Sequence, residues 1–545
     1  MTELPGADKV TPGAIEAWKH HLGVEIEGDS LRAELVESTL PQAFHDIAMC
    51  DPERPALTID DEMISHGELD RLTARAGGWL RAQGIDPENR VLLCGRNSLV
   101  FVVAYLGILR AGAIVVPADA GLTESELRYI VEDSDAACAL AQGEALARLM
   151  SIAGGDTSFR VIGALEEQSS EAPSLPQAIS QGEPLEPVNA DGDDVVMLAY
   201  TSGTTGRPKG VPLSHANLLS STRGVMWAWR WNEDDVLVHA LPFSHQHGLS
   251  SVHISLLSGS RAVVYSRFDP DRLCAAIESE KATVLFAVPA IYEQLATWGG
   301  IEEADFSSLR LAVSGSSALS PALARKISAL LGQDVLERYG STESGLNVSN
   351  PYKGPRRFGS VGFPLPGTEL AIADDDSHSL PPGKDGEILL RGPQVFSGYW
   401  DLPDATKENF YPGGWFRTGD VGRVDPDDGY LTITGRLKEM IISGGLNVYP
   451  REVELVLEDH ATVDKAAVVG VPSERWGEEV VAFVVSAQGR KVDDEELTAH
   501  ASQHLSGYKC PKRFFAIDKL PRNQMGKVLR DELVQVANEE GEAGQ

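Results

Sequence analysis

An apolar run at residues 195–198 breaks directly into "AYTSGTTGRPKG", residues 199–210. The run has the length of one buried strand, and the Gly, Ser and Thr packed behind it read as a loop. Amides and hydroxyls in such a loop close around an anion, and Arg207 and Lys209 mark that anion as phosphate. The spacing is not that of a Walker A loop, G-x-x-x-x-G-K-[ST]. Gly203 and Gly206 stand too close together, and Lys209 follows Pro208 rather than a glycine. The stretch therefore predicts a central strand, a phosphate loop over residues 201–209, and a helix capped by Ser214. Strand–loop–helix at a strand's carboxyl end is where α/β folds bind ligands.

The rest of the chain suits that frame. "RVLLCG", "AIVVPADA" and "RAVVYS" read as short buried strands, and "ELDRLTARAGGWLRAQG" as an amphipathic helix. Their alternation predicts α/β layers with mostly parallel strands. At 545 residues the chain exceeds one ordinary core. Residues 1–40 are acidic and predict an irregular appended arm, and residues 166–194 are polar and proline-rich, as a surface loop would be. A second boundary falls near "GRLKEMIISGGLNVYPREVELVLEDH", where Pro450 opens a helix carrying Val453, Val456 and Leu457 on one face. This divides the chain into residues 1–40, 41–437 and 438–545.

A formal charge of −33 argues against nucleic acid or an anionic membrane as a partner, since both require basic patches. The most apolar stretch, "LVFVVAYLGIL", is too short to span a bilayer and predicts a buried helix. The opening residues lack a signal-peptide pattern, and the five scattered cysteines suggest neither disulfides nor zinc. A cytoplasmic location is the simplest expectation.

Four further islands join the phosphate loop: "LERYGSTESGLNVSNPY", "GWFRTGD", "GRLKEMIISGGLNVYPRE" and "LPRNQMGKVLR". In this order they resemble the adenylate-forming superfamily, over about residues 40–535. The resemblance implies a large multi-layer α/β domain with a β-barrel-like subdomain and a small mobile α+β domain at the C-terminus. It implies an acid–thiol ligase that joins a small carboxylic acid to AMP from ATP, with Mg²⁺, and passes the acyl group to coenzyme A. A carrier protein or a nitrogen nucleophile stands as an alternative acceptor. The barrier is electrostatic, an anion meeting a polyanion, so preorganised donors and cations are the remedy.

Residue by residue, the resemblance implies that Thr201, Ser202, Gly203, Thr204, Thr205, Gly206 and Lys209 wrap the β- and γ-phosphates. Tyr339, followed by Gly340, stacks on adenine; Thr342 meets the α-phosphate; Glu343, with Thr201, holds magnesium. Asp420 takes the ribose hydroxyls with Arg436 beside it, and Lys527 reaches the reacting carboxylate. Lys438 is the hinge about which the small domain turns, and Gly444 and Gly445 leave room for the pantetheine arm.

The acyl pocket is implied to lie among "LPFSHQHGL", "VPAIYEQL", "VSGSSAL" and the residues around Tyr339. His245 lies beside the acyl group, and His247 is its neighbour. Arg338 suits no fatty tail, because burying it unpaired is costly, but it suits a second carboxylate. With "HQHGL", "ERYGSTE" and "GGLNVYPREVE", the chain resembles malonyl-coenzyme A synthetases, in which the residues matching Arg338 and Ser316 face the distal carboxylate of a small diacid. Ser244, Gln294, Ser341 and Ser344 depart from that pattern and leave another small or medium-chain acid open.

Overall fold

The computed structural model describes residues 2–4, 10–24, 27–154, 159–167, 172–201, 207–443, 446–473, 475–487, 490–522 and 528–543. Four sheets organise them. The first has six strands in the order Val161–Ala164, Cys138–Ala141, Arg90–Cys94, Ile114–Ala118, Val195–Thr201 and Lys209–Ser214. All its pairings are parallel except the last.

That exception corrects one expectation. The phosphate loop does not pass directly into a helix. Val195–Thr201 lies next to the sheet edge, and the chain returns as the antiparallel strand Lys209–Ser214, placing Thr201 opposite Lys209. Only then does Ser214 cap the helix His215–Ala228, in a reciprocal box with Asn217. Pro212 would disturb a central ladder, and an edge position tolerates it.

The second sheet has nine strands, with Leu336–Ser341, Leu311–Ser314, Val284–Ala287, Val236–His239, Arg261–Val264 and Pro55–Ile59 running parallel. One continuous apolar core joins it to the first sheet. The helix Leu99–Arg110 runs through that core, buried from Phe101 to Arg110 and capped by Ser98. A buried leucine or phenylalanine contributes about 1.5–3 kcal/mol, so this apolar helix suits the interior. Its terminal Arg110 is paired with Asp70.

The β-barrel-like subdomain is a seven-stranded sheet, antiparallel throughout, whose pairings close no ring among the described residues. The first forty residues are not irregular. They include the helices Pro12–Leu22 and Gly28–Val36, which pack against the helix His215–Ala228 and are tied by side-chain bonds to Thr368 and Glu369 of this sheet's region. Trp18 is buried and donates to the Thr368 carbonyl at 2.8 Å, while buried Glu369 takes Arg32, Arg391 and the Thr11 amide. The 166–194 stretch likewise contains a helix, Leu175–Gln181, capped by Ser174.

The fourth sheet has five strands from residue 441 onward. It carries the helix Pro450–Glu458, with Pro450 in its first turn and Val453 and Leu457 in the core, and the closing helix Arg530–Ala543. Among the described residues no helix is long and apolar enough to cross a membrane, and all five cysteines are free thiols.

Candidate active site

Strand register brings the acyl-side residues together. Val313 lies opposite Leu336 and Ser314 opposite Glu337 in a parallel pair, so Gly315 falls beside Arg338. The Arg338 guanidinium lies flat on Gly315, where any side chain would overlap it. Next to it Ser316 sits at φ +69°, in the left-handed region, and its hydroxyl bonds His247 Nδ1 at 2.9 Å. His247 also tilts against Phe286 at 5.7 Å.

Arg338 is buried, His247 half-buried and Ser316 exposed, and the cluster is incompletely satisfied. Arg338 Nε and Nη2 and His247 Nε2 have no hydrogen-bond partner among the described residues. Burial lowers the Arg338 pKa to about 10. It also pushes the His247 pKa well down, helped by Arg338, His239 and His245, so the imidazole is neutral at physiological pH. Glu337, which precedes Arg338, points to the other face of the strand, where it accepts the Leu319 amide at 3.1 Å. The arginine is therefore not neutralised by its neighbour.

His245 caps the helix Gln246–Ser258 through its backbone alone. Burial lowers its pKa, and Asp119 opposes the shift. The four departures from the expected pattern are occupied locally. Ser244 bonds Asp119 at 3.2 Å, Ser341 and Ser344 bond each other at 2.8 Å, and Gln294 bonds its own helix at 3.4 Å.

Around Asp420 the charges are already matched. A bulge between Tyr339 and Gly340 re-aims the strand, and the Tyr339 hydroxyl donates to Asp420 Oδ2 at 2.7 Å. Asp420 and Arg436 are cross-strand partners, with Arg436 Nε 2.8 Å from Asp420 Oδ1. Thr342 offers its carbonyl to Gln246 at 3.3 Å. Lys438 lies in the short turn after that strand, its pKa lowered by burial and by the nearby charges of Lys209 and Arg436. Ser202, Gly203, Thr204, Thr205, Gly206, Gly444, Gly445 and Lys527 lie outside the described residues.

Two neighbours escaped the sequence reading, and a third, Gly315, lay in a quoted segment without being singled out. Tyr399 lies under Lys209, with the ammonium 4.6 Å from its ring, and donates to Glu343 at 3.3 Å. Gly315 and Phe286 shape the space around Arg338 and His247. Nothing periodic marks any of them, because each acts through a partner distant in sequence.

The chain matches the AMP-binding enzyme family over residues 44–400 and the C-terminal domain of AMP-binding enzymes over residues 452–527. It belongs to that family and is an AMP-forming ligase of the acyl-CoA synthetase type. A feruloyl-CoA synthase from Amycolatopsis is 36% identical, covering 89% of this chain and 96% of its own. The mitochondrial malonate–CoA ligase of Bos taurus is 34% identical, covering 86% and 83%. ATP-bound MatB from Rhodopseudomonas palustris superposes with a TM-score of 0.85 at 35% identity, covering 92% and 99%.

Proposed function

We propose that this enzyme activates a small dicarboxylic acid, malonate or a near analogue, and transfers it to coenzyme A. The observation that carries the reading is the Arg338 guanidinium, buried with Nε and Nη2 unpartnered beside the unpartnered His247 Nε2. A buried charge lacking its partner costs on the order of 3–5 kcal/mol. A distal carboxylate would relieve that cost with charge-assisted bonds, and a methyl group would not. With the Ser316 hydroxyl donating to Nδ1, neutral His247 would carry its one N–H on Nε2, toward the same ligand. The serines and glutamine that depart from the family pattern are engaged locally, so they do not favour a different polar acid.

In this reading one oxygen of the near carboxylate attacks the α-phosphorus of ATP and pyrophosphate leaves. The thiolate sulfur then attacks the acyl carbon and AMP leaves. Tyr339, Asp420 and Arg436 hold the nucleoside. Thr201 and Lys209, with Ser202 through Gly206, grip the outer phosphates, and Thr342 meets the inner one. Lys527 offsets the charge at the reacting carboxylate, and His245 lies beside the acyl group. Lys438 is the hinge, and Gly444 and Gly445 line the thiol's approach.

Glu343 suits magnesium. It offers hard oxygen donors, and among the described residues no three acidic, histidine or cysteine side chains form a cage. A single carboxylate beside phosphates and water is how Mg²⁺ is commonly held. There it would offset phosphate charge.

The test is pyrophosphate release across acetate, butyrate, octanoate, malonate, methylmalonate, succinate and aromatic acids, with and without coenzyme A. Malonate or methylmalonate should give the highest kcat/KM, with acyl-CoA as product. Faster turnover of butyrate or an aromatic acid would refute the diacid reading, and product formed only on another acceptor would refute the coenzyme A step.

A further inference from the structure

We propose that Tyr399 is a positioning residue that holds Lys209 and Glu343 apart, so that both remain available to magnesium and triphosphate. The inference rests on the reading of Lys209 as a phosphate cation and Glu343 as the magnesium carboxylate.

The Lys209 ammonium lies 4.6 Å from the Tyr399 ring, and the phenol on that ring donates to Glu343 Oε1 at 3.3 Å. Both ends are therefore engaged by one side chain. Among the described residues no ion pair joins Lys209 to Glu343; the two meet the same tyrosine instead.

Backbone contacts fix the tyrosine between the two segments it separates. The amide after it, Trp400 N, donates to the Gly210 carbonyl at 2.9 Å, next to Lys209. Three residues before it, Phe396 N donates to the Glu343 carbonyl at 2.8 Å, and the Phe396 ring meets Tyr399 edge-on at 5.0 Å. Tyr399's own amide donates to Thr406 Oγ1 at 2.9 Å. Gly398 adopts φ +149° with Thr406 pressed where a side chain would begin. The ring's place is determined from several sides at once.

A lysine and a carboxylate left in reach of one another would pair. That pair would compete with both ligands, because affinity falls by the fraction of the protein in the competent form. Tyr399 substitutes weaker contacts: a ring face for the ammonium, and for the carboxylate a single 3.3 Å bond from an uncharged donor. Incoming phosphate and metal displace both readily. Burial and Glu343 raise the phenol's pKa, so it stays a neutral donor and adds no third charge.

The experiment measures calorimetric binding of ATP, with and without Mg²⁺, to wild type, Tyr399→Phe, Tyr399→Leu and the double variant Tyr399→Leu/Glu343→Gln. Tyr399→Leu should weaken binding of both forms of ATP about tenfold by populating the Lys209–Glu343 pair. The double variant should recover metal-free ATP affinity, because Lys209 is released, and Tyr399→Phe should stay within about twofold of wild type because the ring remains. A purely structural role for Tyr399 predicts no such recovery. Wild-type affinity in Tyr399→Leu, or no recovery in the double variant, would overturn the inference. If wild type itself fails to bind Mg²⁺ and ATP, the nucleotide reading falls instead, and this inference with it.

Discussion

Arg338 and Arg436 meet opposite circumstances. Arg436 has its carboxylate, Asp420, at 2.8 Å on the neighbouring strand and is half exposed. Arg338 is 7% exposed, faces Gly315 and a neutral histidine, and has two unpartnered nitrogens. A charge that the chain pairs for itself sets the shape of a site. A buried charge left unpaired creates a demand that a ligand meets. In the proposed function the nucleotide end is thus assembled before substrate arrives, and the acyl end is completed by it.

Removing Arg338 should break that contrast most sharply. Arg338→Ala should lower the kcat/KM preference for malonate over butyrate about 100-fold or more, the worth of lost charged hydrogen bonds. The KM for ATP should hardly change. An unaltered preference would mean that the arginine does not read the second carboxylate. Asp420→Asn probes the other end and should give the converse: KM for ATP raised about 10–30-fold by the lost charged acceptor, with the acid preference intact. A shift in acid preference there would dissolve the division into two ends. Gly315→Ala is subtler, since its methyl group must displace the guanidinium. Overpacking of this kind costs about 1–3 kcal/mol, so malonate turnover should fall about tenfold while butyrate turnover changes little.

These three substitutions show what was legible in the sequence. Arg338 and Asp420 sit inside motifs whose residue types already announce charge recognition, so they could be named at once. Gly315 could not. Its importance arises from parallel register between strands starting at Leu311 and Leu336, which places it against the guanidinium. The same limit hid Tyr399, whose two partners lie at residues 209 and 343. Short buried strands were plain because they are continuous apolar runs. The first forty residues misled although Thr11, Pro12 and Gly23 mark the ends of the first helix, because what holds the two helices in place lies far away, Trp18 on Thr368 and Arg32 on Glu369. The expected passage from phosphate loop to helix missed an edge strand, because proline and polar neighbours disguise the run from Lys209 to Ser214.

The remaining prediction bears on stability rather than turnover and concerns the residue beside Arg338. Glu337 faces the opposite side of the strand with Oε2 unpartnered, and burial raises its pKa to about 7, with Arg451 of the C-terminal segment opposing the shift. The two neighbours are thus both buried ionisable groups left short of partners, but only Arg338 faces Gly315 and His247. Because the folded chain holds the Glu337 proton more tightly than the unfolded chain does, this group's stabilisation is fully present below about pH 4.5. It declines as pH rises from there toward about 7, where the folded-state carboxyl itself ionises. Glu337→Gln keeps an acceptor for the Leu319 amide and cannot ionise. It should reduce the loss of unfolding free energy between pH 5 and pH 8 by on the order of 1–3 kcal/mol, read from denaturant midpoints at both pH values. Its preference for malonate over butyrate should match wild type. An identical pH dependence in the two proteins would place the Glu337 carboxylate in a better-solvated setting, and a changed acid preference would mean that the two faces of this strand do not act separately.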